Sequence, residues 1–315
     1  MNILSSAALP NKNQKQLIDS FPKDNFVFCR SMKEAKENLP GADIIITYGE
    51  DLNSQVLEQA LHLQWIMVIA AGIDKLPFDE LNQRNILVTS AKGIHKAPMS
   101  EYVFFMLMLV YRQGKQLIEN EKNRIWTRDI YMDEITGRTM MIAGTGVIGQ
   151  EIAKVARAFQ IKTIGVSRSG KKMDGFDENI THSQMTDRLC DVDFLISVLP
   201  STSETDNFFN YTHFTQLPEH AVFINMGRGN VVQEEDILKA VREEEIGHAV
   251  LDVFENEPLP PEHVFWEEER ITVTTHLSGV SPYYHDRAID IFIQNLMRYK
   301  NNQHLMNKVD VAKGY

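Results

Sequence analysis

The stretch MMIAGTGVIGQEIAKVARAF, residues 140–159, decides the fold. An apolar run ends at Ala143, and glycines follow at 144, 146 and 149. Ile152, Val155, Ala156 and Phe159 then recur at helical spacing. A strand, a tight turn and a helix joined by G-x-G-x-x-G predict a dinucleotide-binding βαβ unit, where the glycine pattern alone would predict little. Gly144 permits the turn, Gly146 lets the backbone approach a pyrophosphate, and Gly149 allows helix and strand to pack closely. The first helical residues, Val147 and Ile148, would offer unpaired N–H groups and positive dipole charge to the phosphates.

The same alternation runs through most of the chain. Strand-like runs occur at 42–47, 63–69 and 85–90, then at 139–144, 162–166, 193–198, 221–225, 247–252 and 270–275. Helical patterns lie between them, including 51–60, 147–159 and 234–244. Apolar strands separated by helices predict parallel sheets. The expected class is α/β, with two Rossmann-like, doubly wound parallel-sheet domains and a cleft between them. The uniformly apolar stretch from Pro98 to Arg112 predicts a buried helix that opens a second domain, with Pro98 in its first position. A return near 282–297 completes the division: 1–97 plus 284–315 as a flavodoxin-like, substrate-binding domain, and 98–283 as the dinucleotide-binding domain.

Composition excludes several classes of protein. The 315 residues are 43% hydrophobic and 24% charged, a balance that supports a buried core. A net charge of −11 argues against nucleic acid as the main partner. Cys29 and Cys190 stand far apart without C-x-x-C spacing, so neither a disulfide framework nor a metal site is expected. No signal peptide is evident, and the longest apolar run, 102–111, is about half a bilayer span. A cytoplasmic protein without membrane attachment is expected.

In an open parallel sheet, ligands bind beyond the carboxyl ends of the strands. Those ends carry Ser167 and Arg168; Leu199 and Pro200; Met226, Gly227 and Arg228; Asp252; and His276 through Gly279. An arginine, a histidine and a carboxylate beside a nicotinamide suit reduction of a 2-keto acid. Arg228 can hold a carboxylate or keto oxygen through paired N–H bonds. His276 can donate a proton to the developing alkoxide, and Glu257 can orient the imidazole and favour its charged form.

These residues bring a resemblance with them. The chain resembles the D-isomer-specific 2-hydroxyacid dehydrogenases, particularly the glyoxylate/hydroxypyruvate reductase branch. AAGIDKLPFD (70–79) is similar to that family's substrate loop and APMSEYVFFMLML (97–109) to its interdomain helix. ITGRTMMIAGTGVIG (135–149) is similar to its nucleotide loop. NMGRGNVV (225–232), LDVFENEPLP (251–260) and THLSG (275–279) are similar to its catalytic blocks. The resemblance implies that Arg228, Glu257 and His276 are catalytic and that Ala71 and Gly72 offer N–H groups to the substrate carboxylate. It further implies that Asp252 meets the nicotinamide carboxamide, that Leu199 and Pro200 lie along the cofactor, and that the protein is a homodimer joined through its nucleotide-binding domains. The sequence departs from the family pattern after the histidine block. Many members carry arginine there, and this chain has VSPYYHDR (280–287). Trp126 and Tyr283 either shape the substrate pocket or simply pack.

The segment IKTIGVSRSGKK (161–172) bears on the choice of cofactor. An NAD-specific site places an acid at the end of the second strand, where this chain has Ser167, Arg168 and Ser169. Hydroxyls and a planar cation suit a 2′-phosphate, so NADP(H) is expected over NAD(H) and reduction over oxidation. Glyoxylate or hydroxypyruvate is the expected substrate. A reductase of another 2-keto acid, or a dinucleotide-sensing binding protein of the same fold, stays open at this point.

Overall fold

The computed structural model describes residues 1–70, 72–73 and 76–312. Two compact units emerge, one formed by Met1–His95 with Ser281–Tyr315 and the other by Lys96–Val280.

The first unit holds a parallel sheet of β1 (Asn2–Ser5), β2 (Asn25–Phe28), β3 (Ile44–Thr47), β4 (Trp65–Val68) and β5 (Leu87–Ser90), in the order β2-β1-β3-β4-β5. Every residue of β3 and β4 is buried, as a sheet covered on both faces requires. Trp65, on β4, is wholly buried in the core of this unit. Its indole N–H donates to Thr89 Oγ1 at 2.8 Å, and its ring lies 5.2 Å from that of Phe292 and 5.4 Å from that of Tyr299. Those two aromatics belong to the helix Tyr284–Lys300, which buries Ala288, Ile289, Phe292 and Leu296 in the same core.

The second unit is a seven-stranded parallel sheet: β6 (Thr139–Ala143), β7 (Lys162–Ser167), β8 (Glu178–Thr181), β9 (Phe194–Ser197), β10 (Val222–Asn225), β11 (His248–Leu251) and β12 (Ile271–Val273). Its order is β12-β11-β10-β9-β6-β7-β8. The chain starts in the middle at β6, builds outward through β7 and β8, then returns to add β9 on the other side. The crevice where β6 meets β9 is the topological switch point at which such sheets bind ligands.

The apolar helix runs over Lys96–Tyr111, so Pro98 stands inside its first turn and not at its first position. That is tolerated because first-turn N–H groups have no intrahelical acceptor to lose. Met99, Val103, Phe104, Met106 and Leu107 are buried, and Phe104 stacks on Phe159 at 5.2 Å. The opposite face is not buried: Phe105 is 60% exposed and Met108 38%. Three strands escaped the sequence reading. β1 and β2 are only four residues long, and β8, ENIT, is a polar edge strand without an apolar run.

Candidate active site and dinucleotide cradle

The glycine loop has the geometry its spacing predicts. Gly144 follows β6 at φ +109°, and a Cβ there would stand 2.8 Å from Val198 Cγ2. A Cβ on Gly149 would lie 2.1 Å from the Gly144 carbonyl oxygen, far inside any real contact. Gly146 differs: a Cβ there meets nothing within 4 Å. Packing does not explain that glycine, whereas a group approaching from outside does. Gly146 is also the N-cap of helix Val147–Ala156 and supplies no side-chain cap, so the first N–H groups lack an acceptor within the helix. Open space over an uncapped helix start fits a pyrophosphate. At the end of β7, Ser167 is half-buried while Arg168 and Ser169 are exposed. Lys171 and Lys172 are exposed too.

The turn after β10 is shaped by the buried Asn225 side chain. Its amide donates to the Arg228 carbonyl at 3.0 Å, and its Oδ1 accepts from Gly227 N–H at 3.2 Å. Gly227 and Gly229 are both obligatory. A Cβ would come within 2.4 Å of the Leu199 carbonyl oxygen at the first and within 2.0 Å of the Phe254 carbonyl carbon at the second. Arg228 is half-buried between them, and one guanidinium N–H donates to the Gly227 carbonyl at 2.8 Å.

Glu257 is fixed by the segment on which Gly229 rests. Its Oε1 accepts from Phe254 N–H at 3.0 Å, and its Oε2 lies 2.8 Å from His276 Nδ1. A carboxylate only accepts, so Nδ1 carries the proton in this pair and Nε2 is left for a ligand. The imidazole is about half exposed, at 52%.

His276 adopts a left-handed backbone, φ +56°, which is strained for a residue with a Cβ. Asp252, wholly buried, holds it there. The Asp252 carbonyl accepts from His276 N–H at 2.9 Å. Its carboxylate accepts from Leu277 N–H at 2.8 Å, from Ser278 N–H at 2.9 Å and from the Thr274 hydroxyl. Tyr102 in turn bonds Thr274 Oγ1 at 2.7 Å and must be the donor, since the Thr274 proton is already used. Burial drives the Tyr102 phenol well above its ordinary pKa, which keeps that proton in place.

Thus β10, β11 and β12 bring Arg228, Asp252, Glu257 and His276 into one linked network. The hydrogen bonds of the Asp252 carboxylate all run to the histidine loop, which makes it a brace for that loop. Asn225, Thr274 and Tyr102 were not legible in the sequence. Each acts through a partner distant in the chain or through a turn shape, and no local pattern marks them. Gly72 is half-buried in the first unit, and Ala71 lies outside the described residues. Trp126 is 93% exposed, and Tyr283 is 60% exposed with Arg287 5.6 Å over its ring. Among the described residues, no group of three His, Cys, Asp or Glu side chains is placed to hold a metal. No helix among them is long and apolar enough to cross a membrane.

A dinucleotide cradle at the switch point and a carboxylate-bound histidine on the neighbouring strand ends define a nicotinamide-dependent oxidoreductase. Residues 104–278 match the D-isomer specific 2-hydroxyacid dehydrogenase, NAD binding domain. The chain belongs to the D-isomer specific 2-hydroxyacid dehydrogenase family, whose members act on small 2-hydroxy and 2-keto acids. Among its relatives, glyoxylate/hydroxypyruvate reductase A of Serratia proteamaculans is 31% identical over 83% of this chain and 84% of its own. A family protein from Aeromonas salmonicida superposes with a TM-score of 0.89 at 33% identity, covering 98% of this chain and 99% of its own. The NADPH-dependent glyoxylate/hydroxypyruvate reductase of Sinorhizobium meliloti, solved with NADP and sulfate, gives a TM-score of 0.84 at 28% identity, covering 100% and 99%.

Proposed function

We propose that this chain reduces glyoxylate or hydroxypyruvate to the corresponding 2-hydroxy acid, with NADPH preferred over NADH and His276 as the proton donor. The Glu257–His276 hydrogen bond carries this reading, because it fixes the ring and leaves Nε2 for a ligand. When bound, the reduced dinucleotide supplies a hydride to the carbonyl carbon. The protein does the rest. Arg228 donates paired N–H bonds to the carboxylate or keto oxygen. The Nε2–H of charged His276 passes its proton to that oxygen as negative charge develops there. Glu257, held by Phe254 N–H, accepts from Nδ1–H and keeps the imidazole in place.

Asp252 would reach the nicotinamide carboxamide only through lone pairs its brace leaves over. Leu199, Pro200, Met226 and Gly279 would lie along the cofactor, and Ala71 and Gly72 of the first unit would bind the substrate carboxylate. NADPH preference is supported by Ser167, Arg168 and Ser169 in place of an acid, and by the NADP-bound relative from Sinorhizobium meliloti. A homodimer is supported by a run of exposed apolar side chains: Phe105 and Met108 on one helix, Leu117 and Ile118 on the next, then Ile125 and Trp126. Light scattering at micromolar protein tests that part, and a monomer would refute it. The catalytic reading is tested by initial rates with glyoxylate, hydroxypyruvate and pyruvate, each titrated with NADPH and NADH. No turnover of any acid would overturn it, and a preference for NADH would overturn the cofactor assignment.

A further inference from the structure

The end of β7 lacks an acid in sequence but not in space. The Arg168 guanidinium lies 3.0 and 3.3 Å from the two carboxylate oxygens of Glu204, which comes from the loop after β9. We infer that Glu204 competes with a 2′-phosphate for Arg168 and itself accepts a hydrogen bond from an unphosphorylated ribose, so that one pocket admits both forms of the dinucleotide. This rests on reading the end of β7 as the adenosine-ribose site.

The loop behind Glu204 is built and not slack. Thr205, buried directly after it, donates to the Pro200 carbonyl at 2.6 Å and accepts from Thr202 N–H at 2.9 Å. Asn207 N–H donates to the Asn230 carbonyl at 2.8 Å, and the Asn230 amide donates to Asp206 at 3.0 Å. Two residues after Arg168, Gly170 at φ +60° fits against Thr181 with no room for a Cβ, which fixes the course of the backbone there. His182 stands close enough for its ionisation to respond to both partners, burial being the larger influence, and its ring packs edge-on to Phe208 at 4.7 Å.

The chemistry separates the two cofactors. A 2′-phosphate carries close to two negative charges and must take Arg168 away from Glu204 while repelling that carboxylate. A ribose 2′-hydroxyl can donate to Glu204 and leave the ion pair standing. Both side chains are well exposed, 68% and 60%, so water screens the competition and the bias is modest. Glu204 therefore tempers a preference for NADPH without creating or abolishing it.

The experiment is Glu204→Gln in the full-length protein, with kcat/KM for NADPH and NADH and, independently of turnover, calorimetric titration with NADP+ and NAD+. The expected result is a rise of about three- to tenfold in the NADPH:NADH ratio, seen in KM and Kd and not in kcat. A ratio unchanged within twofold overturns the inference. So does weaker NADP+ binding, which would make Glu204 a support for Arg168. If the wild-type protein turns over no 2-keto acid, the proposed activity fails, yet the two titrations still decide the role of Glu204.

Discussion

Replacing Asp252 by asparagine tests whether the buried carboxylate holds His276 in its left-handed conformation. The carboxylate receives two backbone N–H groups and one hydroxyl. An amide keeps one oxygen, so whichever way it turns, one of the two sides meets an NH2 group and loses its acceptor. Losing a hydrogen bond to a charged group costs about 1.5–3 kcal/mol, and a stranded buried donor costs a further 1–3 kcal/mol. The loop can avoid part of this by opening, helped by the roughly 1–2 kcal/mol that His276 regains on leaving the left-handed region. The net expectation is a loss of about 2–4 kcal/mol, divided between global stability and local release of residues 276–278. Urea unfolding reads the first part. Single-turnover reduction with saturating NADPH reads the second, where a displacement of about 1 Å in His276, the proposed proton donor, predicts roughly a hundredfold loss. Thr274→Val removes only the hydroxyl and should cost about 1 kcal/mol. An Asp252→Asn protein with wild-type midpoint and turnover within twofold would refute the brace.

Three further outcomes are expected. His276→Ala should lower turnover about a thousandfold while NADPH affinity, read by fluorescence, stays within a few-fold; lost cofactor binding would give His276 a different role. Gly149→Ala places a Cβ against the Gly144 carbonyl, and the forced shift of helix from strand should weaken dinucleotide binding by about 1–3 kcal/mol, with unchanged affinity counting against the cradle. His248, half-buried on β11 and bonded to Thr272 Oγ1 at 2.8 Å, has its pKa pushed down to about 3, chiefly by burial with help from Lys115 and Arg270. A depressed histidine is neutral in the fold and charged in the unfolded chain at mild acid, so its stability contribution is complete above pH 6.5 and is lost as pH falls toward 3. About 2 kcal/mol should disappear between pH 7 and pH 5, and His248→Asn should remove that part of the slope in chemical denaturation.

The parts of this molecule that were legible in its sequence are those whose cause is local. Gly144 and Gly149 read correctly because a turn and a helix-on-strand contact each leave no room for a Cβ, and the adjoining apolar periodicity says where the turn lies. Arg228, Asp252 and His276 were findable because a parallel sheet sends every strand end to one edge. The pairing of Glu257 with His276 was anticipated, but the Phe254 N–H that holds Glu257 was not. Glu204 was invisible because it meets Arg168 across 36 positions of sequence, through a loop whose course depends on Thr205 and Asn230. The exposed face of helix Lys96–Tyr111 was misread for a different reason. Uniform hydrophobicity says that a surface avoids water, not whether the chain's own core is what covers it.

The absent side chain of Gly229 has a consequence for anyone who would retune this enzyme. With its backbone laid directly on Phe254, the turn carrying Arg228 and the segment carrying Glu257 are packed without a gap, like two jaws cut from one plate. In the mechanism proposed above, anchor and proton relay would therefore shift together: widening the space around Arg228 for a bulkier acid is expected to displace Glu257, and with it His276. Changes of substrate are more accessible from the rim of the site, where a side chain can be exchanged without bending the plate.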